Sequence, residues 1–220
     1  MIFFIIGLFD DFARSRDSFS KLLTPFGVAL FSISLFMPIF AYDYIVLTNR
    51  MHKIQKTNAA RLLDRAGVAY RLIPYTVDEN NLAADHVAAE LGEDINRVFK
   101  TLVLHGEKAG YFVCVVPGNC EVDLKKAARA AGAKKADLIP MKELLPLTGY
   151  IRGGCSPVGM KKPFPTFFHS TAPDFDEIFV SAGVRGLQFG VRPTDLIDYV
   201  GASVADIVVG PKPEEEEDRL

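Results

Sequence analysis

The segment Ile151-Arg-Gly-Gly-Cys-Ser-Pro-Val-Gly-Met-Lys-Lys162 constrains this chain more than any other. Gly153 and Gly154 can take backbone angles closed to other residues. Pro157 fixes its own φ and steers Ser156 away from helix. The segment therefore interrupts any regular element that enters it. A solvent loop does not need this density of glycine and proline. A loop whose N–H groups must approach a carbonyl or phosphate oxygen does need it. A tight turn between strands is the plain alternative, and the segment alone does not choose between them.

Three other stretches carry candidate chemistry. Lys100 follows Phe99 and opens the apolar run Thr101-Leu-Val-Leu104. A lysine there either snorkels at a strand end or emerges at a cleft. In a cleft it can grip a carboxylate or phosphate, or donate to a developing oxyanion. Thr101 puts a hydroxyl beside it and favours the cleft. Ser181-Ala-Gly-Val-Arg-Gly186 can bend sharply at Gly183 and Gly186. Arg185 can then make paired contacts with an anion or form a structural bridge. Pro117-Gly-Asn-Cys120 follows an apolar run and feeds a helix, which places it at a pocket rim.

A side-chain nucleophile is poorly supported. Ser156 has no Gly-x-Ser-x-Gly elbow. A base would have to come from His86, His105 or His169, and no acid is spaced to orient one. Cys155 is no better placed. Cysteines 114, 120 and 155 form no Cys-x-x-Cys pair, so no metal framework is expected, and their odd number argues against a disulfide-stapled fold. Reduced thiols in a cytoplasmic setting are the simplest reading. Glycine-rich nucleotide loops of the Gly-x-Gly-x-x-Gly and Gly-x-x-x-x-Gly-Lys types are absent from the sequence.

The 220 residues, 49% apolar, suffice for one sizeable core. Residues 1–50 differ from the rest. They are crowded with phenylalanine, and 22–42 carry no charge. That run is just long enough to cross a bilayer, but Pro25 and Pro38 weaken it as a helix. A misplaced start ahead of Met51 is the preferred reading, with a membrane or signal segment and extra soluble structure as alternatives. Residues 51–209 read as one body. Residues 210–220 read as an acidic, disordered tail. The net charge is −2, yet without the acids at 214–218 the body is slightly positive. Its cations cluster at Lys125, Lys126, Arg129, Lys134 and Lys135, then at Lys161 and Lys162. A phosphate backbone or plain solvent explains them equally.

Within the body, Thr57 caps a helix over 58–66 that Gly67 ends. Strands are expected over 68–75, 99–104, 111–116, 133–138, 164–169 and 177–181, with a hairpin turn at 106–110. Further helices are expected over 82–91, from Asp123 to Ala131, over 141–145, and over 194–200. Short strands among helices predict a compact mixed α/β (α+β) domain.

Ordered motifs along this body resemble the YbaK/EbsC family of aminoacyl-tRNA editing domains, and its cysteinyl-tRNA(Pro) deacylase branch in particular. They are Lys56-Thr-Asn-Ala59, Val98-Phe-Lys-Thr-Leu102, Val122-Asp-Leu-Lys-Lys126, Gly132-Ala-Lys-Lys135, Gly149-Tyr-Ile-Arg-Gly-Gly-Cys-Ser-Pro-Val-Gly159 and Ser181-Ala-Gly-Val-Arg-Gly-Leu187. The match spans roughly Lys56 to Val208. It begins just after Met51, which favours that residue as the start.

The resemblance implies a central mixed sheet flanked by helices, with a cleft for the aminoacylated 3′ end of tRNA. It implies deacylation of cysteine from tRNA(Pro), and of cysteine on tRNA(Cys) beside it, with the substrate's own thiol attacking the ester. Lys100 would hold the terminal nucleotide, and the backbone at Gly153 and Gly154 would position the aminoacyl carbonyl. Thr101, Pro117, Ser156, Pro157, Ser181 and Arg185 would line the pocket, and Tyr75 would stack on the terminal adenine. No metal or organic cofactor is implied. Prolyl-tRNA synthetase is the implied protein partner. Two positions depart from the pattern: Ala83 stands where an aromatic is common, and Gln188 where an aspartate is common. Editing of alanine, or a non-catalytic tRNA-binding role, are the competing readings.

Overall fold

The computed structural model describes residues 55–211. Helix α1 (Asn58–Ala66) starts where Thr57 Oγ1 accepts from the Ala60 N–H at 3.1 Å. It ends at Gly67, whose φ of 71° few side chains tolerate. Its buried face is Ala59, Ala60 and Leu63. The chain continues through β1 (Tyr70–Pro74), α2 (Ala84–Leu91) and a 3-10 turn (Ile95–Arg97) into the hairpin β2 (Phe99–Gly106) and β3 (Gly110–Pro117). Then come β4 (Cys120–Val122), α3 (Leu124–Ala130), β5 (Ala136–Leu138), α4 (Met141–Thr148), β6 (Thr166–His169) and a second 3-10 turn (Ala172–Asp174). The last elements are β7 (Ile178–Ser181), β8 (Leu187–Val191), α5 (Pro193–Val200), β9 (Ser203–Ala205) and β10 (Val208–Pro211).

Five strands form a mixed sheet in the order β5-β2-β3-β6-β9. β2 pairs antiparallel with β3 and β5, whereas β3–β6 and β6–β9 are parallel. A second, antiparallel sheet runs β1-β8-β7. A parallel bridge between Val98 and Phe179 joins the two, so β2 and β7 run side by side. β4 and β10 form a separate ribbon.

Alternation along β2 and β3 sends residues to two cores. Phe99, Val103, Val113 and Val115 pack with Phe168, Ile178, Val180, Phe189, α1 and α5. Leu104, Phe112, Cys114 and Val116 pack beneath α3 with Ala127 and Ala128. Each fully buried aromatic such as Phe168 contributes about 1.5–3 kcal/mol through removal from water. A third cluster sits under α2, where Val87 and Ala88 meet Val98 and Phe179.

The domain has the mixed α/β character read from the sequence, with boundary shifts. The first strand begins at Tyr70 rather than Val68, and the second helix at Ala84 rather than Leu82. The fourth helix continues beyond Leu145, through Pro146, and Thr148 Oγ1 donates back to the Leu144 carbonyl at 2.7 Å. Strands β4, β8, β9 and β10 were not expected. β10 reaches Pro211, two residues into the segment read as an acidic tail. The rest of that tail, and the whole 1–50 segment, lie outside the described residues. Among the described residues no helix is long and apolar enough to cross a membrane.

Candidate active site

The strand registers place a polar row across one face of the joined sheets. Ile73 pairs with Gln188, and Gln188 with Ser181. Two residues past the Val98–Phe179 bridge, Ser181 and Lys100 occupy neighbouring strands. Lys100 in turn pairs with Val116. Because side chains alternate in a strand, Gln188, Ser181 and Lys100 share a face with Val98 and Phe179, the face that α2 packs against. Gln188 and Ser181 are only 5% and 8% exposed. The Gln188 Oε1 is buried without a hydrogen-bond partner, an unusual state that a ligand can relieve.

Lys100 is held at the mouth of this row. Its Nζ donates to the Gly118 carbonyl at 2.9 Å. Gly118 has to be glycine, since a Cβ there would lie 2.5 Å from the Ala84 Cβ and 3.1 Å from the Val98 carbonyl oxygen. The Pro117–Asn119 turn thus fits between the start of α2 and the start of β2. Burial raises the nearby Cys120 thiol pKa, and the Lys100 charge opposes that rise.

The glycine-rich loop packs against the turn that leads into β8. Gly153 has φ of 80°, and a Cβ on it would meet Leu82 at 3.3 Å and Arg185 at 3.5 Å. A Cβ on Gly154 would meet the backbone of Val184 and Arg185 at 3.2 Å. The loop and the Gly183–Gly186 turn are therefore in backbone contact, with Leu82 lying over Gly153. Tyr75 joins the same corner, because its N–H donates to the Gly186 carbonyl at 3.0 Å.

Not every residue singled out from the sequence serves this cleft directly. Ser156 is fully buried, and its Oγ accepts from the Val158 N–H at 3.3 Å. It shapes the loop and cannot line an open pocket, and Pro157 is buried with it. Thr101 follows Lys100, so it points to the opposite face of β2, where its Oγ1 is buried and unpartnered. Arg185 Nε donates to the Arg152 carbonyl at 2.9 Å, and its guanidinium lies 3.6 Å from Glu79. It bridges two turns, which is the structural alternative. Pro117 belongs to the turn that Lys100 holds. Lys126 is paired with Asp206 at 2.8 Å, and Lys161 donates to the Leu145 carbonyl at 3.3 Å. Lys125, Arg129, Lys134, Lys135 and Lys162 remain exposed.

The thiols do not qualify as nucleophiles. Burial pushes both Cys114 and Cys155 up to about 12, so neither carries thiolate near neutral pH. Among the described residues no group of three His, Cys, Asp or Glu is placed to hold a metal ion. What the polar row offers is a cation with buried hydroxyl and amide groups; in the glycine loop the Gly154 N–H is already given to the Ile151 carbonyl at 3.0 Å. Such a set can bind and polarise a carbonyl group, and no activated nucleophile stands in it.

Comparison with known proteins gives the family. The family model for the aminoacyl-tRNA editing domain matches residues 78–199, which include both the Lys100 strand and the glycine loop. This chain belongs to the aminoacyl-tRNA editing domain family. It is 46% identical over 153 residues to the Enterococcus faecalis protein named "Putative Cys-tRNA(Pro)/Cys-tRNA(Cys) deacylase EbsC", covering 70% of this chain and 93% of the relative. It is 25% identical over 122 residues to YwhH of Bacillus subtilis, covering 56% of this chain and 77% of that protein. A solved structure described as "a putative trans-editing enzyme for prolyl tRNA synthetase" superposes with TM-score 0.61 at 28% identity, over 70% of this chain and 99% of the other. The editing-domain fold is thus common to chain and neighbour, and the Lys100 row and glycine loop lie within it.

Proposed function

We propose that this protein clears cysteine from mischarged tRNA(Pro), and from tRNA(Cys), by letting the substrate's own thiol cleave the aminoacyl ester. One observation carries the reading: the row formed by Lys100 and the buried Ser181 and Gln188 offers no activated side-chain nucleophile. In the proposed reaction the cysteine sulfur, as thiolate, attacks its own carbonyl carbon. The bond from that carbon to the tRNA 3′ oxygen breaks, and the oxygen leaves with a proton. The cyclic thioester then takes up water and opens to free cysteine. The Gly153 backbone would hold the carbonyl, with Gly154 shaping the loop through its N–H bond to the Ile151 carbonyl, and Lys100 would steady the charge of the terminal nucleotide. Ser181, Gln188 and Tyr75 would bound the pocket. Proximity of thiol and carbonyl supplies much of the rate.

We propose residues 51–209 as the editing unit, extended to Pro211 by β10. We infer a cytoplasmic setting from the proposed tRNA substrate. The exposed cations Lys125, Arg129, Lys134 and Lys135 would follow the acceptor stem. Prolyl-tRNA synthetase is the proposed docking partner, consistent with the description of the structural neighbour. The test is deacylation of cysteinyl-, alanyl- and prolyl-tRNA(Pro) by the full chain. Selective loss of cysteine supports the reading. Preferential loss of alanine would overturn it, because alanine has no thiol.

A further inference from the structure

The same sheet face continues past Lys100 to a second cavity. Val116, the partner of Lys100, is followed in the parallel register of β3 and β6 by His169. His169 therefore stands two strands from Lys100, roughly 10 Å away at the usual strand spacing. A cavity of about 450 Å³ opens there, with Asn119, His169, Thr171 and Phe175 among its lining. Its wall nearest Lys100 is the Pro117–Asn119 turn, whose central carbonyl Lys100 holds. The cavity and the Lys100 cleft thus share one turn.

The polar groups of this cavity are arranged for a neutral, planar guest. His169 is 6% exposed, and its Nδ1 accepts from the Ile207 N–H at 3.3 Å. That bond puts the proton of the neutral ring on Nε2, and the ring also interacts with the Ala205 backbone and, at 3.9 Å from Nδ1, with the Asp206 carboxylate. The Thr171 Oγ1 is buried with no partner in the protein. Asn119 donates one amide hydrogen to Asn96 at 3.0 Å and has a second. Phe175 adds an aromatic surface. The cation in the wall, Lys126, is already matched by Asp206 at 2.8 Å and by the Val208 carbonyl at 3.0 Å. Hydrogen-bonding groups around an aromatic face are the equipment with which proteins take up an unstacked base of single-stranded RNA.

We propose that this cavity is a nucleotide subsite that takes the base preceding the terminal adenosine of the aminoacylated tRNA end. The inference rests on the editing function proposed above. It adds that two nucleotides are gripped, one on each side of the Pro117–Asn119 turn. The volume suits one nucleotide within the usual range of ligand pockets.

Binding of the dinucleotide CpA and of adenosine to the full chain tests this without requiring turnover. Titration calorimetry should find CpA bound roughly tenfold or more tightly, the scale of a stacked base with one polar contact. Thr171→Val keeps the side-chain shape and removes an unsatisfied hydroxyl, so it should not weaken the fold. It should lower CpA affinity and leave adenosine affinity unchanged. Equal affinities for CpA and adenosine would overturn the proposal. So would cytidine monophosphate binding that gains nothing from linkage to adenosine, which would make this a site for a free nucleotide. Deacylation of cysteinyl-tRNA(Pro), measured in parallel, reports on the editing reading alone.

Discussion

Lys100 Nζ and the Gly118 carbonyl meet at 2.9 Å, which ties the first residues of one strand to the turn that ends its neighbour. The turn is in turn wedged against Ala84 at the start of α2. The position of the cation therefore depends on a glycine that touches no substrate in the proposed reaction.

Gly118→Ala tests that dependence. The new methyl would fall 2.5 Å from Ala84 and 3.1 Å from a backbone oxygen. Overpacking of this kind typically costs about 1–3 kcal/mol. The denaturant midpoint should fall, and deacylation should fall further than the lost stability explains. An unchanged rate would separate the turn from the cation.

The glycine loop gives two distinguishable variants. Gly153→Ala forces a side chain to φ of 80°, against the movable end of Leu82. It should cost about 1–2 kcal/mol from backbone strain. Gly154→Ala meets backbone atoms of Val184 and Arg185 at 3.2 Å, which cannot swing aside. It should displace the loop and reduce kcat more than Gly153→Ala does. Thermal unfolding and steady-state kinetics on both would show the contrast.

Gln188→Met removes a buried oxygen that has no partner. Loss of an unsatisfied polar atom with shape retained is near neutral or stabilising. Tm should hold or rise, while KM for cysteinyl-tRNA(Pro) rises if the oxygen awaits substrate. A fall in Tm would indicate an internal role for the amide.

His169 gives the fold a dependence on mild acid. Burial holds its pKa below the usual 6.5, and Lys126 adds to this while Asp206 opposes it. The unfolded chain then binds a proton that the folded one resists. Stability should be full above about pH 6.5 and should decline as pH falls from there toward the lowered folded value. Unfolding followed between pH 7.5 and 5.5 should show this slope, and His169→Gln should flatten it.

Local chemistry made much of this fold legible. Thr57 and Gly67 bracket α1, and Asp123 caps α3 by accepting from the Lys125 and Lys126 N–H groups. The hairpin was readable from apolar runs around 106–110. β8 was not, because Gln188 and Gly190 interrupt its apolar pattern. The structure explains both residues. Gln188 faces the polar row, and a Cβ on Gly190 would lie 2.7 Å from Glu177. β4, β9 and β10 are too short for any periodicity to register.

The candidate site divides in the same way. Lys100 stood out as a charge at the head of an apolar strand, and the glycine loop by its composition. The neighbourhood of Lys100, Ser181 and Gln188 depends on parallel pairing between strands far apart in the chain, which no local signal encodes. Thr101 shows the converse: adjacency in sequence suggested a shared pocket, but strand alternation sends its hydroxyl to the other face.

The most direct measurement is deacylation of cysteinyl-tRNA(Pro) by the full chain and its Lys100→Ala variant, with circular dichroism to establish that both are folded. The account predicts a folded variant whose kcat/KM falls by roughly 10–100-fold, the usual worth of a hydrogen bond to a charged group. A folded Lys100→Ala protein that clears cysteine at the original rate would contradict it.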